Sequence, residues 1–260
     1  MVQPGRPFTK GRLAPKSTEN MIYGIRAVME TIHSGKDMEK VFVQKGLTGE
    51  LVTELKTLLK EKSIPYSAVP PEKLNWFTRK NHQGVVAYVS PVQYFPLDQV
   101  IQQTYEKGQQ PLFVMLDGVT DVRNFGSIAR TAECLGAHGL IIPTAGSVQV
   151  NADAVKTSAG ALNFIPVCRE PNLELAVQYL KNSGIKVVAV TEKAQASFHQ
   201  LELVNPLCLV MGAEDVGISS AVLNACDETG MIPMHGQISS LNVGAACAMA
   251  LYEISTQRSK

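Results

Sequence analysis

The chain predicts an α/β fold in two parts, a small α/β module followed by a larger domain on a parallel sheet. Three observations carry that prediction. From residue 111 onward, short apolar runs alternate strictly with helix-period segments, the pattern of a parallel sheet covered on both faces. Three of those runs end in Gly- or Asn-bearing loops that open onto helices, and such junctions gather where open α/β sheets bind ligands. Between the two parts, Pro91, Pro96, Gly108 and Pro111 surround a short polar helical segment, which suits a linker over residues 91–110.

In chain order, residues 1–19 are rich in Pro, Gly, Lys and Arg without hydrophobic periodicity and read as a flexible basic tail. Over residues 20–90 the pattern predicts a helix at 22–34, a strand at 41–44 and a helix at 49–62, then strands at 66–69 and 85–90. Residues 111–260 predict strands at 112–116, 140–143, 164–167, 187–191, 207–211 and 231–233. Helices are expected between and after them at 124–135, 152–161, 173–182, 219–225 and 241–256.

Composition bounds the function. With 260 residues, 45% hydrophobic and 18% charged, the chain has material for two ordinary globular cores. No apolar run approaches the roughly 20 residues that span a bilayer, and the amino terminus lacks a signal-peptide stretch. A cytoplasmic protein is therefore expected. Cys134, Cys168, Cys208, Cys226 and Cys247 form no CxxC pair and have no metal spacing with the five histidines, so buried thiols and no metal are expected. The net charge is only +1, but it divides as +3 over residues 1–19, +2 over 20–110 and −4 over 111–260. Attraction for phosphate thus belongs to the amino-terminal portion.

The three junctions hold the chemistry. Leu112 to Leu116 runs into Asp117-Gly118-Val119-Thr120-Asp121-Val122-Arg123-Asn124-Phe125-Gly126 and a helix carrying Arg130. Leu207 to Met211 runs into Gly212-Ala213-Glu214-Asp215-Val216-Gly217. Ile232-Pro233-Met234-His235-Gly236 leads through Ser240-Leu241-Asn242 into an Ala-rich helix. Backbone N–H groups and small side chains crowd each point, a ligand site made of backbone. Gly212 to Ser219 has P-loop glycine spacing, but Ile218 stands where a lysine must reach phosphate and Glu214 would repel it. A GxGxxG after a strand and a GxSxG turn are both missing, which removes dinucleotide and serine-hydrolase readings.

At these residues the chain resembles the SPOUT-class RNA ribose 2′-O-methyltransferases of the SpoU/TrmH type, most closely those that methylate a guanosine of bacterial 23S ribosomal RNA. Family motifs match at 124–130, 210–217 and 232–242, in order, and His82-Gln83-Gly84-Val85-Val86-Ala87 resembles the end of the family's amino-terminal RNA-binding domain. The resemblance covers roughly residues 20 to 258. It implies an L30e-like substrate domain, a deep trefoil knot in the carboxy-terminal domain and a homodimer through the last helix. An unknotted thread, which general folding rules favour, gives way to it.

The resemblance also implies S-adenosylmethionine as methyl donor, contacted at Gly212, Ile232 and Leu241; Thr191, at the end of the strand Val187 to Val190, is a candidate fourth contact. It implies catalytic roles for Arg130, Asn124, Glu214, Ser240 and Asn242. Each residue has a plainer reading alone: a surface arginine, a solvated carboxylate, or a helix cap for Asn124 and Ser240. A guanidinium stays protonated, so Arg130 is assigned to the neighbouring phosphate and the developing alkoxide, with the proton acceptor unassigned. Gly244 stands where the family usually has Ser. Arg26, Arg79, Lys80, His82 and Gln83 are the candidate RNA contacts. Two other readings stay open: a tRNA or a different ribosomal RNA as target of the same chemistry, or a knotted RNA-binding assembly protein without catalysis.

Overall fold

A computed structural model describes residues 20–238 and 240–259; the tail expected over 1–19 lies outside the described residues. Four strands form the first sheet, in order β1-β4-β2-β3: β1 Met21–Tyr23, β2 Met38–Gln44, β3 Tyr66–Val69 and β4 Val85–Val89. Helices α1 Ile25–His33 and α2 Glu50–Glu61 bury Val28, Ile32, Leu55 and Leu59 against one face. Helix α3 Pro71–Phe77 covers part of the other, over Phe42, Val69 and Val86. The helix expected from residue 22 begins instead at Ile25, because Met21 to Tyr23 pair antiparallel with β4 and Gly24, at φ 93°, turns the chain. Helix α3 was not expected; Pro70 and Pro71 mask a start that Pro at the first helical position in fact favours.

Residues 91–110 are not a loose spacer. They contain α4 Leu97–Glu106, whose Leu97, Val100 and Ile101 are buried in the core of the larger sheet. That sheet has order β10-β8-β9-β5-β6-β7, and every pairing in it is parallel. Its strands are β5 Leu112–Asp117, β6 Gly139–Pro143, β7 Val167–Glu170, β8 Lys186–Val190, β9 Leu207–Gly212 and β10 Glu228–Gly230. Helices α5 Val122–Cys134, α6 Ala152–Thr157, α7 Leu173–Asn182, α8 Ser220–Ala225 and α9 Val243–Arg258 cover both faces with separate apolar clusters, as alternation predicts.

Two strands sit later or earlier than expected. Residues 161–163 form a 3-10 turn and β7 starts at Val167, leaving Phe164 77% exposed. The last strand ends at Gly230, because Met231 leaves β8 and pairs instead with residues 196–198. Not all thiols are buried: Cys134 is exposed at the outward end of α5, whereas burial pushes Cys168 and Cys247 up to about 12. Among the described residues, no helix is long and apolar enough to cross a membrane.

A buried polar joint connects the two sheets. The register of β2 slips between Met38 and Lys40, and such a bulge re-aims a side chain. Glu39 turns away from its own module and accepts from Arg169 at 2.5 Å, the Tyr94 hydroxyl at 2.6 Å and the Val150 N–H at 3.0 Å. Arg169 also donates to Met38 O and lies over the Tyr94 ring, 3.8 Å from its centroid. Desolvation raises the Glu39 carboxyl above its ordinary value despite those donors, and holds the Tyr94 hydroxyl protonated well above the usual tyrosine range.

Candidate active site

The carboxyl ends of β5 and β9 lie side by side, pairing Asp117 with Gly212, so the first two loops emerge together. Asp121 caps α5 by accepting from Arg123 N at 2.8 Å and Asn124 N at 3.0 Å. Asn124 therefore does not cap its helix, and its side chain is free to point elsewhere. The second loop is a tight hairpin: Ala213 and Gly217 exchange both backbone hydrogen bonds at 3.1 and 2.9 Å. A side chain at Gly212 would fall onto the backbone of Gly217 and Ile218, so only glycine fits that turn. Asp117 Oδ2 accepts from Ser219 N at 2.7 Å, which ties the first loop to the second.

The third loop closes the arrangement through one residue. Asn242 Oδ1 caps α9, accepting from Gly244 N and Ala245 N at 3.0 and 3.3 Å. Its Nδ2 donates to Asn124 Oδ1 at 2.9 Å and to Glu214 Oε1 at 2.5 Å. Three residues from the three strand-to-helix junctions thus meet directly, each expected from the sequence. Helix α9 packs on α5 close to Ser127, and a Cβ at Gly244 would stand 3.1 Å from the capping oxygen and 3.4 Å from Ser127 Oγ.

Beside this contact lies a cavity of about 330 Å³, within the usual range for small-molecule sites. Thr191, Gly212, Glu214, Ile232, Ser240 and Leu241 line it, with Met211 and Val243 supplying apolar wall. All four expected cofactor contacts are therefore on one cavity. Arg130 is not: it is exposed on α5 and forms no salt bridge among the described residues. Sequence reasoning missed Asp121 and Asp117. Asp121 carries a legible signal, an Asp just ahead of a helical pattern, whereas the bond from Asp117 to Ser219 spans 102 positions and has none.

The RNA candidates group at one end of the first module. Arg26, Arg79 and Lys80 are exposed. His82 and Gln83 instead build the loop: His82 Nδ1 accepts from Gly84 N at 3.0 Å, its Nε2 meets Asn75 Oδ1 at 3.0 Å, and Gln83 Oε1 accepts from Ile25 N at 3.3 Å.

Fold and site together define a SpoU-type methyltransferase, and the chain belongs to that family: residues 111–252 match the SpoU rRNA Methylase family. Residues 21–95 match the model for RNA 2′-O ribose methyltransferase substrate binding. Among individual proteins, the chain is 35% identical over 237 residues to YacO of Bacillus subtilis (strain 168), assigned to the TrmH family of tRNA/rRNA methyltransferases, covering 91% of this chain and 95% of that one. The structure of the SpoU methyltransferase AviRb from Streptomyces viridochromogenes in complex with AdoMet superposes with a TM-score of 0.59 at 27% identity, covering 92% of this chain and 90% of that one. A TrmH/SpoU tRNA modifying enzyme of A. aeolicus superposes with a TM-score of 0.54 at 27% identity, over 63% of this chain and 84% of that one.

Proposed function

We propose that the chain transfers a methyl group from S-adenosylmethionine to the 2′-hydroxyl of a guanosine ribose in 23S ribosomal RNA. The observation that carries this reading is the Asn124–Asn242–Glu214 contact, whose Glu214 also lines the cavity formed by Thr191, Gly212, Ile232 and Leu241. The cavity suits the cofactor: its turn at Gly212 leaves no room for a side chain, so backbone borders the space there, while Met211, Ile232, Leu241 and Val243 supply apolar lining. When bound there, the cofactor supplies an electrophilic methyl on a sulfonium, and alignment is the protein's main task.

Asn242 holds that alignment, because its two amide atoms lock α9, Asn124 and Glu214 together. The Asn124 amide nitrogen then remains as a donor toward the ribose, and Ser240 adds a hydroxyl on the cavity wall. Arg130, unpaired by any carboxylate among the described residues, binds the neighbouring RNA phosphate and stabilises the developing alkoxide. The exposed Ala245, Met249 and Tyr252 on α9 favour a homodimer through that helix, and the family's trefoil knot belongs to the same reading.

The ribosomal target is favoured by the substrate-binding match over residues 21–95 and by the smaller share of this chain, 63%, that the tRNA-modifying neighbour covers. The test is transfer of labelled methyl to total RNA from a strain lacking the gene, followed by nuclease mapping. One 2′-O-methylguanosine in 23S RNA is expected. Label in tRNA keeps the chemistry and moves the target; no label despite cofactor binding refutes catalysis.

A further inference from the structure

The sheet of the first module has one face sealed by two helices and one face only partly covered. On the second face, the seven residues of α3 leave a run of aromatic rings in mutual contact. Trp76 lies 5.4 Å from Phe77, Phe77 lies 4.8 Å from Phe42 and 6.0 Å from Tyr88. Tyr23 continues the row on the edge strand β1, whose pairing with β4 brings it beside Val86 and Met21 beside Tyr88. Trp76 is 49% exposed, and Tyr23, Phe77 and Tyr88 are half-buried. Neither the Tyr23 nor the Tyr88 hydroxyl has a hydrogen-bond partner among the described residues.

Cations ring this row. Lys40 and Lys73 stand 5.5 and 5.7 Å from the Phe42 centroid, and Lys80 stands 5.7 Å from that of Tyr23. None of the three forms a salt bridge among the described residues, and Glu39, the acidic residue of β2, is turned away into the joint with Arg169. Flat rings offer stacking to any base, and unpaired lysines offer charge to a phosphate backbone, the combination that binds single-stranded nucleic acid. A carboxylate-bearing protein partner would use the lysines but leave the row of rings unexplained.

From this face we infer a second RNA-binding surface, on which Trp76, Phe77, Tyr88 and Tyr23 stack unpaired bases while Lys40, Lys73 and Lys80 hold the backbone. It deepens the proposed function, resting on RNA as the substrate, and it assigns recognition to a sheet face rather than to the loop of Arg79 and Lys80 alone.

Trp76 is the only tryptophan in the chain, so its fluorescence reports on this face directly. The full chain is titrated with a short mixed-sequence single-stranded RNA and with the corresponding duplex, with binding followed in parallel by filter retention. Saturable quenching by the single strand, and little by the duplex, is expected. Trp76→Ala weakens single-strand binding roughly tenfold, Trp76→Phe restores most of it, and Lys73→Ala weakens it without changing the spectrum of the free protein. In methylation assays Trp76→Ala raises KM for RNA and leaves kcat and cofactor binding unchanged. Unchanged emission in the presence of single-stranded RNA overturns the inference, wherever else on the protein that RNA is retained. Equal quenching by the duplex overturns the stacking. Methyl transfer with a silent Trp76 would sink this surface alone; quenching without methyl transfer to any RNA would sink the proposed reaction alone.

Discussion

Asn242 Nδ2 donates to Asn124 Oδ1 at 2.9 Å across 118 positions of sequence, while the other end of the same amide caps α9. One side chain thus couples the start of the last helix to the first loop of the domain. Asn242→Asp separates its two duties. The capping oxygen survives, but the donor to Asn124 and Glu214 is lost and a like charge faces Glu214. Methyl transfer is expected to fall at least on the order of 10²-fold, with thermal stability within about 1 kcal/mol of the parent. An Asn242→Asp enzyme of normal activity would remove the bridge from the mechanism.

Arg130→Ala is expected to lower kcat by roughly 10²–10³-fold while cofactor affinity, measured by calorimetry, stays near the parent value, since Arg130 does not line the cavity. Comparable loss of cofactor affinity would reassign the residue.

A methyl group at Gly212 must displace the backbone of Gly217 and Ile218. Gly212→Ala is expected to cost roughly 1–3 kcal/mol and to abolish cofactor binding before it abolishes folding. Retained binding in equilibrium dialysis would show that the turn opens without harm.

The buried side chains of α4 decide where the methyltransferase domain can be cut. A fragment beginning at residue 91 keeps Leu97, Val100 and Ile101 in place, whereas one beginning at residue 111 loses roughly 1.5–3 kcal/mol for each. The longer fragment is expected to be soluble with a cooperative melt, the shorter to aggregate. Two equally stable fragments would mean that α4 contributes little.

His138 gives a pH dependence with a definite sign. Burial, with repulsion from Arg258 second, lowers its pKa below 6.5, and its Nδ1 accepts from Leu112 N at 3.1 Å, a bond open to the unprotonated ring. Below 6.5 the unfolded chain takes up a proton that the folded chain refuses, so stability falls as pH drops through that value. His138→Gln is expected to flatten this slope in thermal melts; an unchanged slope would place the proton uptake elsewhere.

Much of the site was legible because it is built from short, punctuated segments. Asp121-Val122-Arg123-Asn124 and Gly212-Ala213-Glu214 each have local residues that dictate a turn, and the expected cofactor contacts do share one cavity. What the sequence concealed is non-local. The run from 91 to 110 spaces Leu97, Val100 and Ile101 as one helical stripe, but nothing in it says that the stripe packs on the larger sheet. Likewise β1 is three residues long and exists through pairing with β4, so periodicity alone extended α1 over it. Arg169 and Glu39 lie 130 positions apart, and neither stands in a recognisable pattern.

The slipped register at Met38 and Lys40 carries a consequence for how the two modules are joined. Because Glu39 meets a backbone N–H of the other domain as well as Arg169 and Tyr94, the tilt of one module on the other is indexed to a single residue of extra chain. Deleting Glu39 would even the pairing of β2 with β4 and remove the carboxylate of the joint, while Asn124, Glu214 and Asn242 make no contact with it. The seating of the amino-terminal module and the integrity of the reaction centre are therefore set by separate residues, Glu39 for the one and Asn242 for the other.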